Sequence, residues 1–274
     1  MKKRKIGFTL AEVLITLGVI GVVAAITMPI LIKNYQRHVW VNQLKANYSL
    51  LNQGFQKMKA DDGVDNIFDT ETWRSLNQSC SSGYNGTTPT CENFYPNMKK
   101  YFKIASIGKL NNYSYKYVNN NIADNYINNA IVLSNGAILW EYNFYTNSTN
   151  NVVCDIAKQY GGHMCGQFGS FRIDVNGQKG PNTLGRDIFK FFISDKGEIV
   201  PAGGNQLAIY GAASQAQYSH SMNIEKFKTN GPCDGGTCYT CMPSLASSYR
   251  GAGHENGDGC SGLLIDQLNW KMDY

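Results

Sequence analysis

A single carboxylate, that of Glu12, stands in an otherwise apolar stretch that runs from Phe8 to Ile32. The stretch is long enough to cross a bilayer as a helix. An acidic side chain at membrane depth costs roughly 2.5–3.5 kcal/mol, so Glu12 needs a partner. No Lys, Arg or His lies within the stretch. Cleavage between Gly7 and Phe8 would create the missing cation, the free amine of Phe8, in the same chain or in a neighbouring copy.

The residues before and around Glu12 resemble the processing signature shared by type IV pilins and type II secretion pseudopilins. The signature consists of a basic leader, Lys2-Lys3-Arg4-Lys5, and the run Gly7-Phe8-Thr9-Leu10 before Glu12. The resemblance implies that an inner-membrane prepilin peptidase cuts after Gly7 and then N-methylates Phe8. It also implies that Glu12 pairs with the N-terminus of an adjacent subunit when a filament assembles on its inner-membrane platform.

Two further positions match the same family. The resemblance to this family covers about the first 60 residues of the chain well. Gly21 and Pro29 stand where pilins often carry the glycine and proline that bracket a locally unwound part of the helix. Proline lacks the backbone N–H and clashes with the preceding turn, and glycine is a poor helix former. The resemblance therefore implies helix unwinding between Gly21 and Pro29.

Other export signals fit the N-terminus less well. A cleaved secretory signal needs a small-x-small site after the apolar run, which Val23-Ala24-Ala25 meets only in part. A lipoprotein needs a cysteine near the run, and the first one is Cys80. An uncleaved signal anchor that carries a periplasmic binding protein or enzyme is the main alternative.

The charge of the chain reports its topology. Four of the net five positive charges lie in the leader, so the cleaved chain is close to neutral and has no general affinity for nucleic acid. Positive flanks of a membrane helix stay in the cytoplasm. We therefore predict a single-pass protein of the inner membrane. Its helix contacts the membrane lipid, and its C-terminal domain is periplasmic or extracellular.

Eight cysteines in an exported chain predict disulfide bonds. Cys80 with Cys91, and Cys154 with Cys165, could each close a small loop. The last four leave three pairings open; they are Cys233, Cys238, Cys241 and Cys260. A four-thiolate zinc site and a redox role for the CxxC at 238–241 are weaker alternatives, because the compartment is oxidising and no second CxxC is present.

The apolar pattern divides the chain into six parts. Residues 1–7 form the leader, residues 8–32 the transmembrane and assembly helix, and residues 33–60 the amphipathic half of the same helix. One helical face carries the stripe Trp40, Leu44, Tyr48, Leu51, Phe55 and Met58. Gly63 is the predicted stop. An irregular region over residues 61–129, an antiparallel sheet over 130–202 and a Cys-rich region over 203–274 follow.

The sheet is predicted from short apolar runs and turn signals. Asn135-Gly136 between two apolar runs predicts a β-hairpin over residues 130–144. Further strands are expected at 170–175, 188–193 and 198–200, and a short helix is expected near Phe94. The apolar residues after Cys260 are expected to anchor the tail; they are Leu263, Leu264, Ile265, Leu268 and Trp270. Sequential strands beside a long helix predict an α+β, pilin-like fold.

The best candidate for a metal site lies between two of these strands. Asp174, Asn176 and Asp187 flank a glycine-rich stretch, and hard oxygen ligands of this kind suit calcium. Some pseudopilins bind calcium in a loop of the globular domain. The stretch is not an EF-hand, however, and turn chemistry alone accounts for its residues, so a simple connection without a cofactor is favoured.

No catalytic constellation stands out in the sequence. The four histidines are scattered, and nucleophile-elbow, zinc-protease and phosphate-loop motifs are missing. We therefore predict a non-enzymatic filament subunit of the pilin or pseudopilin class. A DNA-uptake pilin is a second alternative, because the run Tyr113, Tyr115, Lys116 and Tyr117 interleaves a base with aromatic rings, as base-stacking sites do.

Overall fold

The computed structural model describes residues 9–79, 94–118, 122–124, 127–146, 167–202, 241 and 257–272. The chain divides into two compact units, Met1–Val39 and Trp40–Tyr274. The cleavage residues Gly7 and Phe8 lie outside the described residues, as do six of the eight cysteines. The first helix begins in the first unit and ends in the second.

Helix α1 runs without interruption over Leu10–Asp62. Its end follows the sequence signal: Gly63 has a φ of +64°, a conformation that glycine adopts without a steric penalty. The N–H of Val64 donates to the carbonyl of Lys59 over 3.1 Å, which is the six-to-one hydrogen bond of a Schellman cap. The predicted stop at Gly63 is confirmed.

One antiparallel sheet of six strands dominates the second unit. Its strands are β1 (Ile104–Leu110), β4 (Ile127–Leu133), β5 (Ile138–Thr146), β6 (Gln167–Asp174), β7 (Ile188–Ile193) and β8 (Ile199–Pro201), in that spatial order. Strands β2 (Tyr115–Lys116) and β3 (Ile122–Asp124) form a separate pair. Two short helices, α2 (Glu71–Ser79) and α3 (Phe94–Tyr101), precede the sheet.

The Asn-Gly hairpin forms as predicted between β4 and β5. The N–H of Leu133 donates to the carbonyl of Ala137 over 2.8 Å, and Gly136 takes a positive φ of +90°. The side chain of Asn135 accepts from the N–H of Ala137 and donates to Oδ1 of Asn47 on α1 over 2.8 Å. The turn is therefore tied to the helix that packs on the sheet.

The core of the second unit lies between α1 and the sheet. The predicted stripe is confirmed, since Leu44, Leu51, Phe55 and Met58 are buried and Trp40 and Tyr48 are half-buried against the same cluster. The ring of Phe55 lies 6.4 Å from that of Phe171 on β6, in an edge-on arrangement. The α+β fold, with a long helix on an antiparallel sheet, is as predicted.

The sheet is larger and begins earlier than the sequence predicted. Strand β1 at Ile104–Leu110, helix α2 and the β2–β3 pair all lie in the region expected to be irregular. The reason is visible in β1, in which only Ile104, Ile107 and Leu110 are half-buried and the residues between them are exposed. An edge strand of this kind has too little apolar alternation to stand out from a loop.

The last described segment, residues 257–272, packs on the sheet as expected of the tail. Leu264 is buried in the main core, and the ring of Trp270 lies 6.0 Å from that of Tyr48. Cys260 forms a disulfide with Cys241, which selects one pairing among the last four cysteines. With both thiols in this bond, neither the four-thiolate zinc site nor the CxxC redox site can form.

Candidate processing and assembly site

The described chain begins with a capping box around Glu12. Thr9 directly precedes Leu10, the first residue of α1, and Glu12 lies three residues after Thr9. One carboxylate oxygen of Glu12 accepts from the N–H and from the hydroxyl of Thr9, both over 2.8 Å. In return the Thr9 hydroxyl accepts from the N–H of Glu12 over 3.2 Å. Such reciprocal bonds satisfy helix N–H groups that otherwise lack acceptors.

Sequence reasoning missed this role because it looked only for cations near Glu12. The signal was present, since a threonine three residues before a glutamate at the start of an apolar run is a capping-box pattern. Both donors of Thr9 are neutral, so they hold the carboxylate at the beginning of the helix and supply no opposite charge. The capping box therefore positions Glu12 without neutralising it.

Helix α1 is long and apolar enough to cross a membrane, with a mean hydropathy of 2.5 over its most apolar window. None of that window is buried by the described part of the chain. Leu14, Ile20 and Leu31 are each more than 60% exposed. An apolar surface of this extent requires lipid or other protein chains to cover it. The helix and the sequence signature together fit a membrane-anchored protein.

The helix is continuous through Gly21 and Pro29, so the single chain has no unwound segment at these residues. Pro29 still removes one helix hydrogen bond, because it has no N–H to donate to the carbonyl four residues earlier. Nearby, the hydroxyl of Thr27 donates to the carbonyl of Val23 over 2.9 Å. The unwinding that the family resemblance implies thus stays a prediction for another state of the protein.

The calcium candidates lie in one connection between β6 and β7, and it is built from hydrogen bonds within the chain. Asp174 accepts from the hydroxyl of Tyr113 and from the N–H groups of Asn176 and Gly177. Asp187 accepts from the N–H groups of Asn182 and Thr183, with one oxygen to each. All four carboxylate oxygens therefore face donors of the chain itself.

Burial dominates the electrostatics of this pair. Asp174 and Asp187 are both completely buried. Burial raises the pKa of Asp187 to about 6, against the hydrogen bonds that lower it. Burial and the charge of Asp187 raise the pKa of Asp174 well above its usual value.

Two buried amide oxygens in the same connection, Oδ1 of Asn176 and of Asn182, have no hydrogen-bond partner among the described residues. Among the described residues, no group of three or more His, Cys, Asp or Glu side chains is arranged to hold a metal.

Adding calcium is expected to leave the melting temperature of the protein unchanged, because the carboxylates already face N–H and O–H donors. A site filled at about 100 times its Kd would instead add about 2.7 kcal/mol to the free energy of unfolding. Thermal melts with calcium, with magnesium and with a chelator measure the effect. A calcium-specific rise that disappears in Asp174→Asn would contradict this expectation and would point to the two unpartnered amide oxygens as further ligands.

The aromatic run proposed for base stacking is inside the protein. Tyr113, Tyr115 and Tyr117 are at most 6% exposed, and the rings of Tyr113 and Tyr115 each lie 5.9 Å from that of Trp140. Buried rings cannot stack on the bases of a bound nucleic acid. This sequence argument for a DNA-uptake pilin was therefore wrong, because tyrosines that alternate along a strand more often pack in a core.

Two family models match the chain. One, described as a prokaryotic N-terminal methylation motif, matches residues 2–28. The other, described as a family of unknown function (DUF6613), matches residues 30–193. No significant match was found among curated proteins or solved structures. The first match supports the type IV pilin and pseudopilin signature at the N-terminus.

Proposed function

We propose that this chain, which belongs to the family of unknown function DUF6613 and begins with a prokaryotic N-terminal methylation motif, is a structural subunit of a type IV pilus-like or type II secretion filament. One observation carries the proposal. The methylation motif overlaps a long apolar helix, and the residues that the structure describes bury no part of the most apolar window of this helix. A helix of this kind has to be covered by lipid before assembly and by other subunits after it.

The processing step is proposed from the motif. The leader keeps Met1 in the cytoplasm, and prepilin peptidase cuts between Gly7 and Phe8 at the inner membrane. Methylation of the new Phe8 amine follows. The matched motif supports this substrate relationship, and it supports a structural more than an enzymatic protein.

In the assembly step, Glu12 of one subunit pairs with the Phe8 amine of its neighbour. The capping box supports this proposal, because it holds the carboxylate at the beginning of the helix and supplies no opposite charge. In an apolar environment an unpaired charge is costly, so a subunit gains free energy when a neighbour supplies the opposite charge. The pair would also fix the register between adjacent helices.

Gly21 and Pro29 are proposed to open the helix only in the filament. Within the single chain, the helix runs without interruption past both residues, and the hydroxyl of Thr27 donates to the carbonyl of Val23. Unwinding at Pro29 costs the least free energy where neighbouring helices can donate a hydrogen bond to the carbonyl that Pro29 leaves without a helix donor.

The mature protein purified from its membrane is expected to lack Met1–Gly7 and to carry one additional methyl group. Intact-mass spectrometry of protein made with and without prepilin peptidase measures both changes, and electron microscopy of the same cells scores filaments. Retention of the leader in the presence of the peptidase would contradict the proposal. That result would favour the uncleaved signal anchor of a periplasmic binding protein or enzyme.

A further inference from the structure

The turn of α1 that follows the apolar stretch carries two cations and a tyrosine. Lys33 is exposed, and the side chain of Tyr35 is 70% exposed. Arg37 is half-buried and lies four residues after Lys33, so the two cations share one face of the helix. These residues belong to the first unit, and the proposed function gives none of them a role.

The length of α1 places this turn at the boundary of a membrane that the helix spans. Lys33 follows Glu12 by 21 positions, and the helix is continuous between them. At about 1.5 Å per residue the two are about 32 Å apart, and the hydrocarbon core of a bilayer is about 30 Å thick. A charged side chain costs least at the edge of that core. With Glu12 at one edge, Lys33 therefore lies among the lipid headgroups at the other.

The charge of this part of the helix is not balanced by nearby residues of the chain. No acidic residue stands between Glu12 and Asp61. The three lysines further along the helix, Lys45, Lys57 and Lys59, each contact a group within the second unit. Lys33 contacts no charged or hydrogen-bonding group among the residues that the structure describes. Its ammonium group is therefore available to an external anion.

The side chains of this turn suit the phosphate groups of lipids. The Lys33 ammonium offers three donors on a flexible stem that reaches along apolar surface to the headgroups. Tyrosine is enriched at membrane boundaries, because its ring is apolar and its hydroxyl is polar. Lysine and arginine near a membrane surface attract lipids with a net negative charge. The expected partner is thus an anionic phospholipid, and not one whose phosphate is balanced by a headgroup amine.

We propose that the Lys33–Arg37 face of α1 binds the phosphate groups of anionic phospholipids in the periplasmic leaflet of the inner membrane. The contact rests on the part of the proposed function that places α1 across this membrane with the second unit outside. Cleavage after Gly7 removes the four cations of the leader. The outer face then carries the cations that hold the processed subunit in the bilayer before assembly.

Native mass spectrometry of the full-length processed protein tests the contact. The protein is reconstituted in nanodiscs of equal parts phosphatidylcholine and phosphatidylglycerol, and the lipids that stay bound after release from the disc are counted. We expect wild-type protein to retain phosphatidylglycerol preferentially. Lys33→Gln should lower this preference by about fivefold, which is the effect of one lysine near an anionic surface. High salt during reconstitution should lower the preference of the wild-type protein as well.

Two matched variants separate a local contact from a general effect of charge. Lys33→Arg keeps the cation and should keep the lipid preference. Lys99→Gln removes an exposed lysine from α3 in the second unit and should leave the preference unchanged. A loss of preference in Lys99→Gln equal to that in Lys33→Gln would overturn the local contact.

Filament yield from the same preparations keeps this proposal distinct from the proposed function. Equal retention of both lipids by the wild-type protein, or an unchanged preference in Lys33→Gln, would overturn the lipid contact whether or not filaments form. An unchanged preference together with a lower filament yield in Lys33→Gln would assign the face to a neighbouring subunit. Processed wild-type protein that retains phosphatidylglycerol but forms no filament would contradict the proposed filament role and support the lipid contact.

Discussion

Glu12→Ala is expected to be cleaved after Gly7 like the wild-type protein and to be about tenfold or more depleted from filaments. A tenfold depletion corresponds to about 1.4 kcal/mol, which is modest for a charge pair formed away from water. The substitution removes both the charge proposed to meet the Phe8 amine and one half of the capping box. Intact mass reports cleavage, and the ratio of sheared filament protein to membrane protein reports assembly.

Two further variants separate the charge of Glu12 from its capping role. Glu12→Gln keeps a side chain that serves in a capping box but removes the charge. Thr9→Ala removes the capping hydroxyl and keeps the charge. If the charge drives assembly, Glu12→Gln is depleted from filaments as strongly as Glu12→Ala, and Thr9→Ala is depleted less. Normal assembly of Glu12→Gln would refute the proposed pairing with Phe8.

Gly7→Leu provides the matched control for processing. It should retain the leader and form no filament, because the peptidase cannot cut and the Phe8 amine never appears. In this background the additional substitution Glu12→Ala should leave the amount of precursor in the membrane unchanged. A lower amount of precursor would show that Glu12 acts before cleavage, for instance through the stability of the helix end.

Arg172→Met is expected to lower the free energy of unfolding by about 3–5 kcal/mol, because it removes the closest cation from the buried carboxylate of Asp258. Arg172 donates to both carboxylate oxygens of Asp258, over 3.1 and 2.9 Å, and Asp258 is fully buried. Lys190 lies farther from the same carboxylate, at 3.7 Å, and Arg172 also lies 2.9 Å from Glu141. Urea unfolding of the detergent-solubilised protein, followed by tryptophan fluorescence, measures the loss.

The double variant Arg172→Met with Asp258→Leu tests the reason for that loss. Both charges of the close pair are then absent, and Lys190 keeps Glu141 as its partner at 3.5 Å. Apolar replacement of a complete buried ion pair is often neutral. The double variant should therefore be more stable than Arg172→Met alone. Equal or greater destabilisation would mean that packing of the Arg172 side chain, and not its charge, holds residues 257–272 on the sheet.

Much of the fold could be predicted because its signals are local. The stripe on α1, the stop at Gly63 and the hairpin at Asn135-Gly136 each depend on residues within a few positions of one another. The edge strand β1 was missed because a half-exposed strand carries weak periodicity, and helix α2 was missed because it has only nine residues. The capping box was also local, and it was overlooked only because a hydroxyl was not considered as a partner for Glu12.

The sequence by itself determined the leader, the predicted cleavage residues, the apolar helix with its lone carboxylate and the α+β class. These properties follow from charge, hydropathy and spacing along a short stretch of chain. Only the tertiary structure decided that Cys241 pairs with Cys260, that Arg172 meets Asp258, and that the tyrosine run is core. Such pairings join residues far apart in sequence, Arg172 and Asp258 being 86 positions apart. Their free energy depends on burial and on which strands become neighbours, which no local pattern encodes.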